Sequence, residues 1–444
     1  MNRQISKYLF YYPVTFFHGE FVSWYKNKYE EIQYWNRDAI RSYHEEKIQV
    51  LIEKAIKENN FYEKLYDGLS VSNLSDFRSL PMIAKTDLES IQESIQNKSI
   101  LSECFTVKKT TGGSTGVPVT IHKNSSAVGR ERAATWVAYE WAGVEIASPQ
   151  ARLWGDPITT KGRIKRRLID WLANRVRLSA FDLTNDSMDA FYKRILRFKP
   201  VYFYGYASAL LRFSEYIAQN NLSLPSSVVS VISTSEVLSD EIRSSLEKNF
   251  SLQVFNEYGC GEVGSIAHEC EYGNMHLMEQ NLIVEIDKEE GQDYGEIVVT
   301  DLFNHAMPII RYKTGDYGRL SDSQCQCGRG LMVLDHVFGR AYDAIISPDG
   351  KKIHPELIMY LFEDLKRNGF VYIKQFQVVQ EEVNIFLIRL VYKGESEEKK
   401  RYENAIEELF KKNVNMDASL MFEYVDAISR EKSGKMRLVK SEIK

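Results

Sequence analysis

The chain has 444 residues, enough for two or three domains at ~100–200 residues each. Apolar residues make up 44% of it, which fills a large core and excludes a disordered chain. Lys and Arg number 57 against 61 Asp and Glu, a net charge of −4, so the strong basic excess of a general nucleic-acid binder is missing.

The first stretch, YLFYYPVTFFHGEFVSW from Tyr8 to Trp24, is apolar but interrupted by Pro13, His18 and Glu20. It has no uninterrupted run of the ~20 apolar residues that a membrane-spanning helix needs. It also lacks the cationic start, apolar centre and small-residue cleavage site of a secretory signal. The expectation is a buried helical hairpin or an irregular lead segment, in preference to a membrane-surface anchor. Five cysteines, Cys104, Cys260, Cys270, Cys325 and Cys327, are an odd number in a long chain without an export signal. That favours reduced thiols and a cytoplasmic location over a disulfide scaffold.

Residues 20–66 place Tyr and Ile at helical spacing, and IQVLIEKAIKENNFYEKLY reads as an amphipathic helix ending near Asn59–Asn60. SVSNLSDFRSLPMIAKTDLESI reads as short loops and a capped helix, with Ser75 ahead of Asp76, and Lys85-Thr86-Asp87 opens another. From about residue 105 the texture changes: FTVKKTTGGSTGVPVTIH is strand, Gly-rich loop, strand. VYFYGY, VVSVIST, LQVFNEYG, LIVEID and GEIVVTDL follow as strands, with SALLRFSEYIAQNN and SDEIRSSLEKNF as helices among them. The fold class expected is α/β with largely parallel sheets.

A break comes at VFGRAYDAIISPDGKKIHPELIMYLF. Beyond it stand a helix from Pro355, strands around YIKQFQVV and VNIFLIRLVY, the charged helix ESEEKKRYENAIEELFKKN and the strand SLMFEYV. The expected division is a large α/β domain over 1–340, its first 104 residues a mostly helical lead segment, and a small mobile α+β domain over 341–444.

Five motifs carry chemistry. Thr111-Gly112-Gly113-Ser114-Thr115-Gly116 can cradle phosphates with backbone N–H groups and hydroxyls, or is simply a turn. It lacks the Lys of a Walker loop. Asn256-Glu257-Tyr258, followed by Glu262, offers a ring for a purine and a carboxylate for Mg²⁺, or is a strand-end turn. Asp301, and then Arg311 with Asp316, can take ribose hydroxyls, or Arg311 and Asp316 form a structural ion pair. Gly339-Arg340 stands at the break, and Ser433-Gly434-Lys435 near the end.

Taken in this order, over residues 105–440, the motifs resemble the core of the adenylate-forming superfamily. FYGYASAL, STSE, EYGCGEVG and PIIRYKTGDYG are similar to phenylacetate–CoA ligase and its capsule-biosynthesis relatives. The resemblance implies ATP-dependent activation of a carboxylic acid to an acyl-adenylate, followed by transfer to coenzyme A. Transfer of the acyl group or of AMP to an amine or a sugar of a polysaccharide precursor remains an alternative, as does an inactive homologue serving as a binding subunit. The resemblance makes 111–116 the phosphate loop and Ser235-Glu236 and Asn256–Tyr258 the adenine pocket. Glu262 becomes the Mg²⁺ carboxylate, Asp316 and Arg340 the ribose contacts, and Lys435 the catalytic lysine of the mobile domain. Val117 replaces a common Lys, with Lys108 and Lys109 nearby, and Tyr342 stands where a hinge Asp or Lys is usual. A homodimer is compatible with the same reading.

Two further clusters remain. Cys270, His276, Cys325 and Cys327 make a set for tetrahedral Zn²⁺, with His268 a competing ligand, or are four unrelated residues. Lys161, Arg163, Lys165, Arg166 and Arg167 open a helix; the solvated reading is preferred to a site for the 3′-phosphate of coenzyme A. Trp136, Tyr139, Trp141, Tyr204 and Tyr206 suggest an aromatic wall for the acid.

Overall fold

The computed structural model describes residues 1–95, 106–110, 119–155, 160–236, 238, 240–288, 295–321, 323–338, 345–348, 350, 352–353, 355–426, 428 and 439–443. The chain divides into a larger unit of Met1–Lys109 with Thr120–Gly339 and a smaller one of Thr110–Val119 with Arg340–Lys444.

The lead segment is helical, as its periodicity predicts. Val22–Ile32, Arg37–Glu58, Asn60–Leu65, Leu74–Ser79 and Asp87–Ile95 follow one another. Asn36 caps the long helix by accepting from the Ala39 amide. Asn73, not Ser75, caps Leu74–Ser79, its side chain accepting from the amides of Ser75 and Asp76. These helices are fastened to the sheet by polar anchors. The Tyr43 hydroxyl donates to the Gln280 carbonyl at 2.9 Å, and that of Tyr62 to the Pro308 carbonyl at 2.8 Å. Arg37 clasps the Glu279 carboxylate, and Ile83 bridges to Tyr312 in parallel register.

The first seventeen residues do not form the expected buried hairpin. Arg3–Ile5, the π-helical Ser6–Tyr11 and Tyr12–Phe17 follow directly on one another. Ile5, Tyr8, Leu9, Val14, Phe16 and Phe17 point outward, while Ser6 and Thr15 are buried and Phe10 and Tyr11 pack against Trp171 and Trp136. The inward side is the polar one: the Thr15 hydroxyl donates to the Tyr11 carbonyl, and the Tyr11 hydroxyl accepts from the Trp136 indole at 2.6 Å.

β1 (Thr106–Thr110) and β2 (Thr120–Asn124) pair as a separate two-stranded sheet. The main sheet has a parallel half built from β3 (Gln150–Trp154), β4 (Arg175–Ser179), β5 (Tyr202–Tyr206), β6 (Ser230–Thr234) and β7 (Val254–Cys260). It continues through β8 (Gly264–Glu269), β9 (Met275–Leu277), β10 (Leu282–Asp287), β11 (Gly295–Asp301), β12 (Tyr312–Ser321) and β13 (Val333–Phe338). Among the described residues it has eleven strands in the order β10-β11-β12-β13-β9-β8-β7-β6-β5-β3-β4.

The α/β class is as expected, but the sheet is mixed. Pairings from β4 to β7 are parallel, and all those beyond β7 are antiparallel. Parallel neighbours need a long crossover, which the helices Thr160–Leu172, Asn185–Phe198, Ala207–Gln219 and Asp240–Phe250 provide. Past β7 the links shorten to turns such as 261–263, which can only reverse the strand. The parallel half is packed by Phe191, Phe203, Phe213 and Phe250, with the Phe203 and Phe250 rings stacked at 5.4 Å.

The smaller unit carries a two-stranded β14 (Ile345–Ile346) and β15 (Lys352–Ile353), then a four-stranded sheet. That sheet contains β16 (Ile373–Glu382), β17 (Ile385–Tyr392), β18 (Ser419–Tyr424) and β19 (Val439–Ser441), in the order β18-β17-β16-β19. The helices Pro355–Arg367 and Lys399–Asn413 supply Ile358, Leu361, Ile406 and Phe410 to its core, and Phe362 stacks on Phe376 at 3.8 Å. The buried Gln380 amide holds both the N–H and the C=O of Ile346, tying β14 to this sheet.

Candidate nucleotide site and metal centre

The C-terminal ends of parallel strands are where α/β sheets present ligand sites. β6 ends at Thr234, and Ser235 follows with φ at +68°, a strained conformation for a residue with a Cβ. The Glu236 carboxylate then accepts from the Ser208 amide at 2.6 Å and its hydroxyl at 2.7 Å, at the start of helix Ala207–Gln219. The helix N-terminus favours that negative charge.

On β7, Asn256, Glu257 and Tyr258 have separate partners. The Asn256 backbone amide donates to Glu269 at 2.7 Å. Glu257 is buried and accepts from the Tyr139 hydroxyl at 3.0 Å and the Ser265 hydroxyl at 2.6 Å. Burial, reinforced by Glu257, holds the Tyr139 phenol well above its ordinary pKa, so it stays a donor. The Tyr258 hydroxyl donates to Asp316 Oδ2 at 3.0 Å, joining two motifs that are 58 residues apart. Burial, then the Asp316 charge, keep that phenol protonated as well. Arg311 turns away from Asp316 and pairs with Glu285 at 3.1 Å, so the Arg311–Asp316 ion pair is not formed.

Glu262 is buried in the turn between β7 and β8. A residue that no motif points to supports this turn. Lys123 of β2, fully buried, donates to the Val263 carbonyl at 2.8 Å, to Glu131 at 2.9 Å and to Asp301 at 3.0 Å. Burial disfavours its charge, but Asp301 and Glu131 outweigh that and hold its pKa above the ordinary value. Burial likewise raises Glu131, yet Lys123 and Lys109 pull it down to about 2. Gly264 has φ at +94°, and a Cβ there would lie 2.4 Å from the Glu131 side chain, so a glycine lets the turn close over this cluster. Asp301 is engaged by Lys123 and by the amides of Phe303 and Asn304, which removes it as a ribose ligand. Lys109 sits on Glu131 at 2.6 Å, so it does not stand in at the phosphates for the Lys that Val117 replaces. The signal in the sequence is the alternation Val119, Ile121, Lys123, which puts a lysine on the apolar face of a strand.

The aromatic wall forms with one change of membership. Tyr139 meets Trp136 and Tyr204, and Trp154 stacks on Tyr206 at 4.3 Å and on Tyr204 at 5.6 Å. Arg152 lies over Trp154 and Tyr204. Trp141 is not part of it; its ring meets His276 and its indole donates to Gln33. Residues 111–118, Arg340, Tyr342 and Lys435 lie outside the described residues.

Cys270, His276, Cys325 and Cys327 converge, with their ligand atoms all within 4.8 Å of one another. Cys270 Sγ lies 3.7 Å from Cys325 Sγ, and Cys327 Sγ lies 3.2 Å from His276 Nε2. A tetrahedron with Zn–S of ~2.3 Å and Zn–N of ~2.0 Å has edges of ~3.5–3.8 Å, so the set suits that ion. His276 Nδ1 bonds to the Leu331 carbonyl at 3.1 Å, which aims Nε2 at the thiols. The Asn274 amide donates to Cys325 at 3.3 Å. His268 lies elsewhere, its ring against Tyr139. β8–β9 and the β12–β13 connection each bring two of the four.

A family profile described as the CapK C-terminal domain matches residues 345–442. Protein CapK of Staphylococcus aureus is 25% identical over 393 residues, 88% of this chain and 84% of that protein. Phenylacetate–coenzyme A ligase of Thermus thermophilus is 24% identical over 345 residues, 73% of this chain and 75% of that protein. Among solved structures, 2-hydroxyisobutyryl-CoA ligase with 2-HIB-AMP and CoA in the thioesterification state superposes with a TM-score of 0.60 at 16% identity, covering 92% and 91% of the two chains. The same ligase in its postadenylation state gives 0.58 at 15% identity, with the same coverage. The chain is therefore a homologue of CapK and of phenylacetate–coenzyme A ligase, and it has the fold of the adenylate-forming CoA ligases.

Proposed function

We propose that the protein uses ATP to convert a carboxylic acid to an acyl-adenylate and then passes the acyl group to coenzyme A. The observation that carries this reading is the Tyr258–Asp316 hydrogen bond, which brings the purine-side and ribose-side motifs together at the end of β7. Similarity to an acid–CoA ligase over 73% of the chain supports it.

In the first step a carboxylate oxygen of the acid bonds to the α-phosphorus of ATP, and pyrophosphate leaves with the electron pair of the broken P–O bond. In the second, the thiol sulfur of coenzyme A bonds to the acyl carbon, loses its proton, and AMP departs. No covalent enzyme intermediate is needed, so Cys260 is not required as a nucleophile and serves as a small pocket-lining residue. Thr111, Gly112, Gly113, Ser114, Thr115 and Gly116 hold the phosphates, Asp316 and Arg340 the ribose, and Tyr258 the purine. Ser235 and Asn256 shape the adenine pocket. Glu236 and Glu257 serve it through position, because their carboxylates are already engaged by Ser208 and by Tyr139 with Ser265. Glu262 would hold Mg²⁺, which supplies charge neutralisation at the phosphates when bound. Lys435, from the smaller unit, offsets the charge that crowds the adenylation transition state. Cys270, His276, Cys325 and Cys327 would hold one structural zinc ion, with no part in the chemistry.

The motifs shared with capsule-biosynthesis relatives leave a second reading, in which the acceptor is an amine or hydroxyl of a polysaccharide precursor. The two separate in one experiment. Protein, ATP and Mg²⁺ are incubated with aryl, fatty, amino and sugar acids, and acyl-AMP is detected by mass spectrometry before and after coenzyme A is added. Conversion of the adenylate to a thioester supports the first reading. An adenylate inert to coenzyme A but consumed by an amine or sugar selects the second. No adenylate with any acid points to an inactive binding subunit.

A further inference from the structure

We propose that the N-terminal helical segment and the helix Thr160–Leu172 together form a docking face for a bilayer rich in anionic phospholipid. The N-terminal segment is amphipathic in the inverse sense. Ile5, Tyr8 and Leu9 lie within one turn, Phe16 and Phe17 stand about two turns further on, and all five face solvent. Leu9 is 67% exposed and Phe17 74%, whereas Ser6 and Thr15 on the opposite side are 1% and 2% exposed. Phe16 meets Phe21 at 5.5 Å, and the exposed Trp24 continues the surface.

Phe10 joins this face to the second helix, its ring 5.6 Å from that of Trp171. Trp171 is nevertheless 57% exposed, and Ile164 and Leu168, one turn apart, are 64% and 59% exposed. An apolar surface made by two touching elements exceeds the scattered single side chains normal for a monomer.

The charge on this face says what covers it. Lys165 and Arg167 are exposed between Ile164 and Leu168, with Arg166 beside them. Asp170, the one acid of that helix, turns inward to Arg177 at 2.9 Å and offers no counter-charge on the surface. Lys7 lies over the rings of Tyr8 and Tyr12. Apolar side chains, interfacial Trp and Tyr, and a cationic rim are the chemistry of a helix lying in an anionic membrane surface. A second copy fits less well, because a two-fold interface would set this basic patch against itself. None of the described helices is long and apolar enough to cross a membrane.

The test is co-sedimentation of the full chain with vesicles of equimolar phosphatidylglycerol and phosphatidylcholine, against phosphatidylcholine alone. The parent should bind the anionic vesicles, and added salt should weaken it. Lys165→Glu with Arg167→Glu should reduce binding at least ~25-fold, at roughly fivefold per cation lost. Leu9→Glu with Phe17→Glu should abolish it while the thermal unfolding midpoint, checked by circular dichroism, stays at the parent value. Failure of the parent to bind, or equal binding by the folded variants, would overturn the proposal. So would a dimer, seen by sedimentation equilibrium, that the same substitutions dissolve.

Discussion

Asp316 keeps one carboxylate oxygen on Tyr258, and its backbone amide is held by Thr314. A carboxylate held at one oxygen, on a backbone that is itself pinned, is pre-oriented for ribose hydroxyls. Asp316→Ala would remove two charge-assisted hydrogen bonds to ribose, each worth ~1.5–3 kcal/mol. Calorimetry should show ATP binding weakened by about a hundredfold or more, and unchanged affinity would remove the ribose from this position. The Lys123 cluster makes a pH-dependent prediction. The Glu131 carboxyl has its folded-state pKa depressed from 4.5 to about 2, so its stabilisation is complete above the unfolded value and is lost as pH falls towards about 2. Glu131→Gln should therefore destabilise the protein by ~3 kcal/mol near neutral pH, at 1.36 kcal/mol per unit. Denaturant unfolding should show that gap closing between pH ~4.5 and ~2; a gap independent of pH would mean that the ion cluster does not supply it.

At the scale of elements, legibility follows how local the determinant is. The helix ending at Glu58 and the strands around 202–206 and 230–234 declare themselves by period and by flanking turns. The switch from parallel to antiparallel pairing after β7 does not, because a strand's own residues do not name its neighbour. The spacing of the N-terminal segment shows an apolar face but not what covers it, so the buried hairpin it suggests has the wrong side inward. Of the site, the strand motifs can be read, whereas Lys123 looks like one more charged residue in a strand. The cysteine set is readable from residue type, and the fold brings all four together from two separate connections. Metal analysis should find about one zinc per chain. Cys327→Ser should lower the unfolding midpoint far more than the adenylation rate, because the remaining thiols lose a shared cation. Metal-free protein of undiminished stability would exclude a structural role for the ion.

At the scale of the whole molecule, the residues proposed for adenylation are divided between two compact units, with Asp316 and Glu262 on the larger and Lys435 in the stretch of the smaller. In the adenylate-forming arrangement that the sequence resembles, the small domain brings its lysine to the α-phosphate for the first half-reaction only. Activation of the acid and transfer of the acyl group should then respond differently to the same substitution. The most direct measurement is acid-dependent exchange of labelled pyrophosphate into ATP, compared between the parent and Lys435→Ala, with ATP affinity measured on both. The expected result is exchange driven by at least one acid in the parent, reduced by orders of magnitude in Lys435→Ala while ATP binding stays within a few-fold. Exchange at the same rate in both proteins would contradict it.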